Sequence, residues 1–117
     1  MEIIRGNIFL DKELTSKGEE DFETLFTSTD VLIEKIFTHG EIPVPGNWYD
    51  QDKDEWVLLL QGKATIEFTG NELIKLNKGD YLFIPAHVKH RILITSKKPN
   101  CIWLAIHGNH KNARPKK

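Results

Sequence analysis

The sequence predicts an all-β protein built as a sandwich or barrel. Short runs of alternating or β-branched residues follow one another at regular spacing, and clusters rich in glycine, asparagine or proline separate them. Such runs, bounded by turn residues, are typical of all-β sandwiches and barrels. The 117 residues of the chain correspond to the length of one domain.

The N-terminal part is predicted to hold one strand and the only helix. Residues 2–10 have the composition of a strand. Residues 18–26 are predicted to be a short helix, because Phe22, Leu25 and Phe26 fall at helical spacing and acids cluster at the start. We therefore assign a strand and a helix to residues 1–30.

The rest of the chain is predicted to consist of strands and tight turns. Glycine and asparagine between several of the runs favour hairpin connections. The predicted strands are residues 31–38, 55–61, 63–68, 73–76, 81–84, 91–95 and 101–107. They form a motif-bearing barrel over residues 31–108, so that residues 1–108 are one domain. Residues 109–117 are basic and are expected to form a flexible tail.

Composition excludes several classes of protein. Hydrophobic residues make up 39% and charged residues 28% of the chain, and the net charge is −1, which does not favour general affinity for nucleic acid. No run approaches the roughly 20 apolar residues of a membrane span, and the N-terminus does not resemble a signal peptide. We expect a cytoplasmic protein. The single cysteine, Cys101, excludes an internal disulfide and is expected to be a buried small hydrophobe.

One long segment interrupts the regular pattern. Residues 39–54 include Pro43, Pro45 and Gly46 and lead directly into a cluster of acids. Long structureless connections in compact β domains are usually functional. Trp48 and Tyr49 are therefore expected either to line a pocket mouth or to cover the end of the barrel.

Two residues at strand starts are candidates for chemistry. Glu55 begins an apolar strand and is expected to point inward with Val57 and Leu59. A buried carboxylate needs a metal, an arginine or a hydrogen-bond donor as its partner. His90 begins another predicted inward face, with Ile92 and Ile94. His87 stands three residues earlier, after Pro85.

These residues carry a resemblance to the cupin superfamily. Glu55 and Gly62 match the second half of the first cupin motif, glutamate followed after six residues by glycine. Gly79, Pro85 and His90 match the second motif at their spacings. The resemblance covers about residues 31–107 and implies a jelly-roll barrel of the cupin type, a double-stranded β-helix, with the short N-terminal helix as an addition.

The first motif departs from the family pattern. Its two histidines fall on Trp48 and Asp50, or on Tyr49 and Gln51 with the shorter spacing, and none of these is histidine. The family's asparagine position is Ile94. Only Glu55 and His90 of the metal shell that the resemblance implies are therefore present.

The sequence nevertheless allows a mixed metal shell. Asp50 is positioned to replace one histidine, and His87, at a glycine position of the motif, to supply a nitrogen. A shell of Asp50, Glu55, His87 and His90 suits zinc, iron, nickel or manganese, since all accept mixed nitrogen and oxygen ligands. A divalent ion at the barrel mouth is accordingly our first hypothesis.

Two further hypotheses remain open, and the sequence does not decide whether the protein is an enzyme. In the second, the barrel binds a sugar or other small metabolite without metal, with stacking contacts from Trp48, Tyr49 and Tyr81. In the third, Glu55 and His90 form the acid–base pair of a metal-independent isomerase or epimerase. The two leading hypotheses, the metal site and the metal-free binding module, share an expected homodimer, because Trp56, Leu58 and Leu60 give the strand a second apolar face that a second subunit would cover.

Overall fold

Two antiparallel sheets make up the described part of the chain. The structure, a computed structural model, describes residues 2–10, 21–38, 40 and 48–109. The larger sheet has the order β1-β2-β8-β3-β6 and the smaller sheet the order β5-β4-β7. The strands are β1 (Asp21–Thr27), β2 (Val31–Thr38), β3 (Asp54–Gln61), β4 (Ala64–Phe68), β5 (Glu72–Leu76), β6 (Tyr81–Ile84), β7 (His90–Thr95) and β8 (Cys101–Gly108). The all-β prediction is confirmed.

The core lies between the inner faces of the two sheets. Alternate residues of each strand point inward, which is the two-residue period that the sequence shows. The larger sheet contributes, among others, Ile36, Val57, Leu59, Trp103 and Ala105. These side chains pack against Ala64, Ile66, Leu76 and Ile92 from the smaller sheet. Glu55 continues the inward row of Val57 and Leu59, so its predicted orientation is confirmed.

Two of the turns predicted between strands are present, and their residues suit the backbone conformation that each turn adopts. Gly70 and Asn71 both have positive φ, at 85° and 62°, in the hairpin that joins β4 and β5. Glycine and asparagine adopt this region at the lowest cost. In the next turn the backbone N–H of Asn77 donates to the Asp80 carboxylate at 2.7 Å.

The N-terminal predictions are wrong in the described residues. Residues 21–26 of the predicted helix lie in strand β1, which pairs with β2, and residues 18–20 lie outside the described residues. A free edge of β2 offers a full ladder of backbone partners, and this outweighs a helical pattern carried by three apolar residues. Residues 2–10 contain no strand, because Asn7 accepts the Phe9 N–H on its side chain and turns the chain.

Strand β7 contains an irregularity that reverses its inner face. In the pairing with β4, Ile66 lies opposite Ile92, but the preceding residue Thr65 lies opposite Ile94. One extra residue in β7 therefore forms a bulge. Ile92 is buried as predicted, but Ile94 is 57% exposed, and Thr95 takes the inward position instead.

The N-terminal segment lies against the outer face of the larger sheet. Lys35 is buried there, and its ammonium group donates to the backbone carbonyl of Leu10 at 3.0 Å. The same group lies 4.1 Å from the centre of the Phe37 ring. His39, His110, residues 41–47 and residues 111–117, including almost all of the predicted tail, lie outside the described residues.

Candidate functional site

A cavity opens between the two sheets at the end of the barrel where β3 and β7 begin. Isoleucine, valine and aromatic side chains form most of its wall. Its polar lining residues are Glu34, Tyr49, Gln51, Glu55, His90 and His107. The space that the centre of a water molecule can reach is about 40 Å³. One water needs roughly 10–15 Å³ of such space, so about three or four heavy atoms fit.

The position of Glu55 follows from the pairing of β3 with its two neighbours. Glu55 lies opposite Ile84 of β6 and opposite His107 of β8. Only 8% of its side chain is exposed. Because β3 lies between β6 and β8, the Glu55 carboxylate is held on the inner face of the sheet, within a mostly apolar wall.

His90 is fixed on both sides of its ring. Its ring Nδ1–H donates to the Val88 carbonyl oxygen at 2.9 Å, and because a carbonyl only accepts, this bond places a proton on Nδ1. The backbone of His90 also exchanges two hydrogen bonds with Tyr49, at 2.8 and 3.1 Å. The ring lies between those of Tyr49 and Phe68, with centroids 5.7 and 6.0 Å away.

Glu55 and His90 form a buried carboxylate–imidazole pair. His90 Nε2 lies 3.4 Å from Glu55 Oε1, and the side chains are only 7% and 8% exposed. With Nδ1 held by Val88, Nε2 is the nitrogen of the ring that gains and loses a proton. A carboxylate and an imidazole at this separation can pass a proton to and from a molecule in the cavity.

A second carboxylate–imidazole pair lines the same cavity. His107 Nε2–H donates to Glu34 Oε1 at 2.8 Å, and both side chains are largely buried. The hydrogen bond to Glu34 raises the pKa of His107 above 6.5; burial opposes this, and the charge of Glu55 adds to it. The cavity therefore holds an imidazole that favours its charged form beside two carboxylates.

The sequence carried a signal for this second pair. Glu34 alternates with Ile36 and Thr38 along β2, so it lies on the inner face, where a carboxylate needs a partner. Glu34 therefore needs a buried partner for the same reason as Glu55 does. The sequence does not indicate that His107 is this partner, because His107 is 73 residues away and reaches Glu34 only through the pairing of β2 with β8.

The raised pKa of His107 predicts a pH-dependent stability. A histidine whose pKa is higher in the folded state stabilises the fold fully below its unfolded value, about 6.5, and this contribution is lost as pH rises through the folded value. We expect the unfolding free energy of Glu34→Gln to vary less than that of the wild type above about pH 6.5. Urea unfolding across this range measures the difference. Equal pH slopes in the two proteins would contradict the assignment, and Glu72→Gln on exposed β5 is the control.

Asp50 and His87 lie at the surface beside the mouth and contact each other. His87 Nδ1 lies 2.9 Å from Asp50 Oδ1, and its other ring nitrogen lies 3.7 Å from Asp52. The His87 side chain is 64% exposed. The backbone N–H of His87 donates to the Gln51 carbonyl at 2.9 Å, which joins the two loops. The structure thus brings the four residues together as two pairs, Glu55 with His90 and Asp50 with His87.

The three aromatic residues predicted to line the pocket lie in different places. Tyr49 lines the cavity. Trp48 instead lies under the guanidinium of Arg91, whose carbon is 4.3 Å from the ring centroid. Tyr81 lies on the outer face of β6, 64% exposed, with its ring 5.6 Å from Trp56. Its pairing with Leu58 of the outward row explains this, because Ile84 takes the inward position opposite Glu55.

The geometry of Glu55 and His90 suits part of a metal shell. Two ligands that each lie about 2.0–2.1 Å from a tetrahedral ion are about 3.4 Å apart, and Nε2 and Oε1 are 3.4 Å apart. A metal site usually needs a third protein ligand. Among the described residues, however, no group of three or more histidine, cysteine, aspartate or glutamate side chains is placed to hold one ion. The described donors do not complete a shell.

Comparison with known proteins identifies the family. The sequence matches the family model described as Cupin domain over residues 37–107, more than half of the chain. The chain belongs to the cupin family. The resemblance seen at Glu55, Gly62, Gly79 and His90 is thereby confirmed. No functionally curated protein matches this cupin significantly.

Solved structures place this cupin among similar folds. A crystal structure from Ralstonia eutropha JMP134, provisionally assigned as a mannose-6-phosphate isomerase, is 36% identical with a TM-score of 0.82, and the match covers 91% of this chain and 98% of that chain. A cupin superfamily protein from Desulfitobacterium hafniense DCB-2 is 26% identical with a TM-score of 0.65, and covers 84% of each chain. FeII HppE is 14% identical with a TM-score of 0.64 over 75% of this cupin and 49% of that chain, which shows the fold alone.

The described residues of this cupin contain no helix with the length and hydropathy of a membrane span.

Proposed function

We propose that this cupin binds a small polar organic molecule at its barrel mouth and transfers protons on it, in the manner of an isomerase. Glu55 and His90 are the proposed acid–base pair. The observation that carries the proposal is the buried contact of 3.4 Å between Glu55 Oε1 and His90 Nε2 in a cavity whose wall is mostly apolar. A positioned pair of this kind typically contributes 10²–10⁴-fold to a rate, as an order of magnitude.

The reaction class follows from what a proton-transfer pair can do to a hydroxy-carbonyl compound. One member of the pair takes the proton from the carbon next to the carbonyl, the carbon–carbon double bond of an enediol forms, and the carbonyl oxygen gains a proton. A proton then returns to the former carbonyl carbon, and the hydroxyl on the neighbouring carbon gives up its proton as that carbon becomes the new carbonyl. Each carbon and oxygen proton that is gained is matched by one that is lost, so atoms and charge balance. The Val88 carbonyl keeps Nδ1 of His90 protonated, which reserves Nε2 for these transfers.

The comparison with the Ralstonia protein supports this class of reaction. That protein is provisionally assigned as a mannose-6-phosphate isomerase, and it matches this chain over nearly its whole length at 36% identity. Isomerisation of a sugar is a proton transfer next to a carbonyl. We take the reaction class from this likeness and derive the substrate from the cavity itself.

Proton transfer can be measured before the natural substrate is known. We expect the wild-type protein to exchange carbon-bound hydrogen for deuterium in at least one member of a panel of short aldoses, ketoses and hydroxy ketones in D₂O, followed by ¹H NMR. Glu55→Gln and His90→Gln are each expected to lower the exchange rate by about 10²-fold or more. Glu72→Gln on exposed β5 is the matched control and should exchange at the wild-type rate.

The same measurement separates an enzyme from a binding module. Compounds that bind without any exchange would indicate the metal-free binding function and contradict the isomerase proposal. Exchange that continues unchanged in Glu55→Gln would show that another group is the base.

A divalent-metal site is the second candidate function, and the ligand-like spacing of Glu55 and His90 favours it. In this proposal the two residues bind zinc, iron, nickel or manganese, with Asp50, His87 or water completing the shell. The ion would supply a Lewis acid when bound. Movement of Asp50 and His87 from their mutual surface contact would be required for them to join.

Metal content of the purified protein tests this candidate and its ligands. We expect about one ion per chain by elemental analysis after growth with the four metals, and a loss of it in Glu55→Gln. Loss of metal in Asp50→Asn would add Asp50 to the shell, whereas unchanged content would exclude Asp50 from it. A protein that stays metal-free after metal soaking would contradict the candidate.

We propose further that the chain forms a homodimer through the outer face of the larger sheet. Trp56, Leu58 and Leu60 of β3 remain partly exposed there, beside Leu104 and Ile106 of β8. Light scattering that gives the mass of one chain, 13.5 kDa, would contradict the dimer. Leu58→Lys is expected to convert a dimer into monomer, because it places a charge in the covered face.

A further inference from the structure

The charged groups in the cavity wall favour uncharged ligands over anionic ones. Its polar wall contains the carboxylates of Glu34 and Glu55, the imidazoles of His90 and His107, and two uncharged polar residues. No lysine or arginine occurs among the described residues of this wall. Each imidazole of the wall already faces a carboxylate, His107 with Glu34 and His90 with Glu55, so the described wall offers an anionic ligand no cation that lacks a carboxylate partner.

Two cations of the neighbouring strands, Arg91 and Lys35, are held by contacts away from the cavity. Arg91 donates from Nε to Glu67 Oε1 at 2.7 Å and covers the face of Trp48. Lys35 lies on the opposite face of β2 from Glu34, with its ammonium group on the Leu10 carbonyl. The charge of Lys53 lowers the pKa of His107, and this effect is the smallest of those that act on that pKa. The described structure therefore gives a phosphate no bidentate or buried partner.

The size of the cavity adds a second restriction. About three or four heavy atoms fit in its enclosed space, as water volumes indicate. The hydroxymethyl and carbonyl end of a sugar has this size. A phosphate group in the same position would meet two carboxylates, and like charges in a desolvated site weaken binding strongly.

We infer that the cavity binds the uncharged hydroxyl–carbonyl end of a small molecule and rejects phosphate and carboxylate groups, with Glu34–His107 as a second polar anchor opposite Glu55–His90. This deepens the proposed function, on which it rests, by naming the substrate class. The inferred substrate therefore differs from the sugar phosphate that is named for the Ralstonia protein. Glu34 and His107 are binding and positioning residues here.

A matched pair of ligands tests the inference. Dihydroxyacetone and dihydroxyacetone phosphate differ only in the phosphate group, and their binding can be followed through the histidine ring signals of the full-length protein by NMR. His90→Asn and His107→Asn assign the two signals. We expect dihydroxyacetone to shift both in a saturable manner and the phosphate to bind about tenfold more weakly or not at all.

Substitutions in the cavity wall test whether its negative charge causes the preference for the uncharged ligand. Glu34→Gln removes one carboxylate charge with little change of shape, and we expect it to narrow the preference for the uncharged ligand by about threefold or more. Glu72→Gln, far from the cavity, should leave the preference unchanged. Circular dichroism of each variant confirms that it is folded before binding is compared.

Each outcome decides the question. Equal or tighter binding of the phosphate overturns the inference, and so does the absence of shifts from either compound at about 50 mM, well above the millimolar range of weak specific binding. Binding of dihydroxyacetone without deuterium exchange would remove the isomerase proposal and keep the inference. Deuterium exchange only in phosphorylated compounds would remove the inference and keep the proposed function.

Discussion

Trp103→Ala is expected to lower the free energy of unfolding by about 3–5 kcal/mol, as large-to-small changes of buried tryptophan do. Trp103 is 2% exposed and is among the largest fully buried side chains of the described residues. It lies in the middle of β8, between Ile36 of β2 and Leu59 of β3. Its loss also removes the indole N–H that donates to the Thr38 hydroxyl at 3.0 Å, so a buried polar group is left without its donor.

Trp48→Ala is the comparison for this variant. Trp48 is only partly buried and packs with Arg91, so we expect a loss of about 0.5–1 kcal/mol, the strength of an exposed cation–π contact. Urea unfolding measures both variants. Because Trp103 also lines the cavity, added indole should restore part of the stability of Trp103→Ala by filling the space. Equal losses in the two variants would contradict the central position of Trp103 in the core.

Gly62→Ala is expected to lower the unfolding free energy by about 2–4 kcal/mol, the sum of a left-handed backbone and steric overlap. Gly62 has φ of +92°, and a β-carbon there would lie 2.6 Å from Cys101 Sγ and 2.7 Å from Ser96 Oγ. It would also lie 3.1 Å from Cys101 Cα, which is backbone and cannot rotate away. The glycine of the first cupin motif is therefore required by the close approach of β8 to the end of β3.

Gly70→Ala separates the cost of the left-handed backbone from the cost of steric overlap. Gly70 has a similar φ of +85°, but nothing lies within 4 Å of the position of its added β-carbon. We expect this variant to lose only the conformational cost, about 1–2 kcal/mol. The difference in urea midpoint between the two alanine variants then measures the crowding at Gly62. Gly62→Ala as stable as Gly70→Ala would show that Cys101 and Ser96 move aside without cost.

The strands of the barrel were predictable because their local signals agree with their pairing. Val31–Thr38 alternates and is flanked by turn residues, and β2 has these bounds. The N-terminal predictions failed for the opposite reason. The spacing of Phe22, Leu25 and Phe26 fits a helix, and only the exposed edge of β2, which no local pattern shows, selects the strand.

The candidate site was predictable only in part. Motif spacing and the two-residue period identify Glu55 and His90, and the structure brings them within 3.4 Å. Glu34 and His107 were not identified as a pair, because their contact depends on the order β2-β8-β3 in the sheet. The bulge in β7 was equally invisible, since Ile94 has the same character as the buried Ile92. Pairings between distant strands carry the information that the sequence pattern lacks.

The pairing of β3 with β8 has a consequence for the way the candidate site is lost on unfolding. Glu55 and His107 are direct partners in that ladder, so each belongs to one pair of the site and both depend on the same register. A one-residue slip of either strand would turn its own member of the site to the other face and separate it from the other pair. Opening of these two central strands therefore dismantles both pairs in a single event. On heating, the proposed hydrogen exchange and the native sheet should disappear along one common curve, with no folded state that lacks the exchange between them.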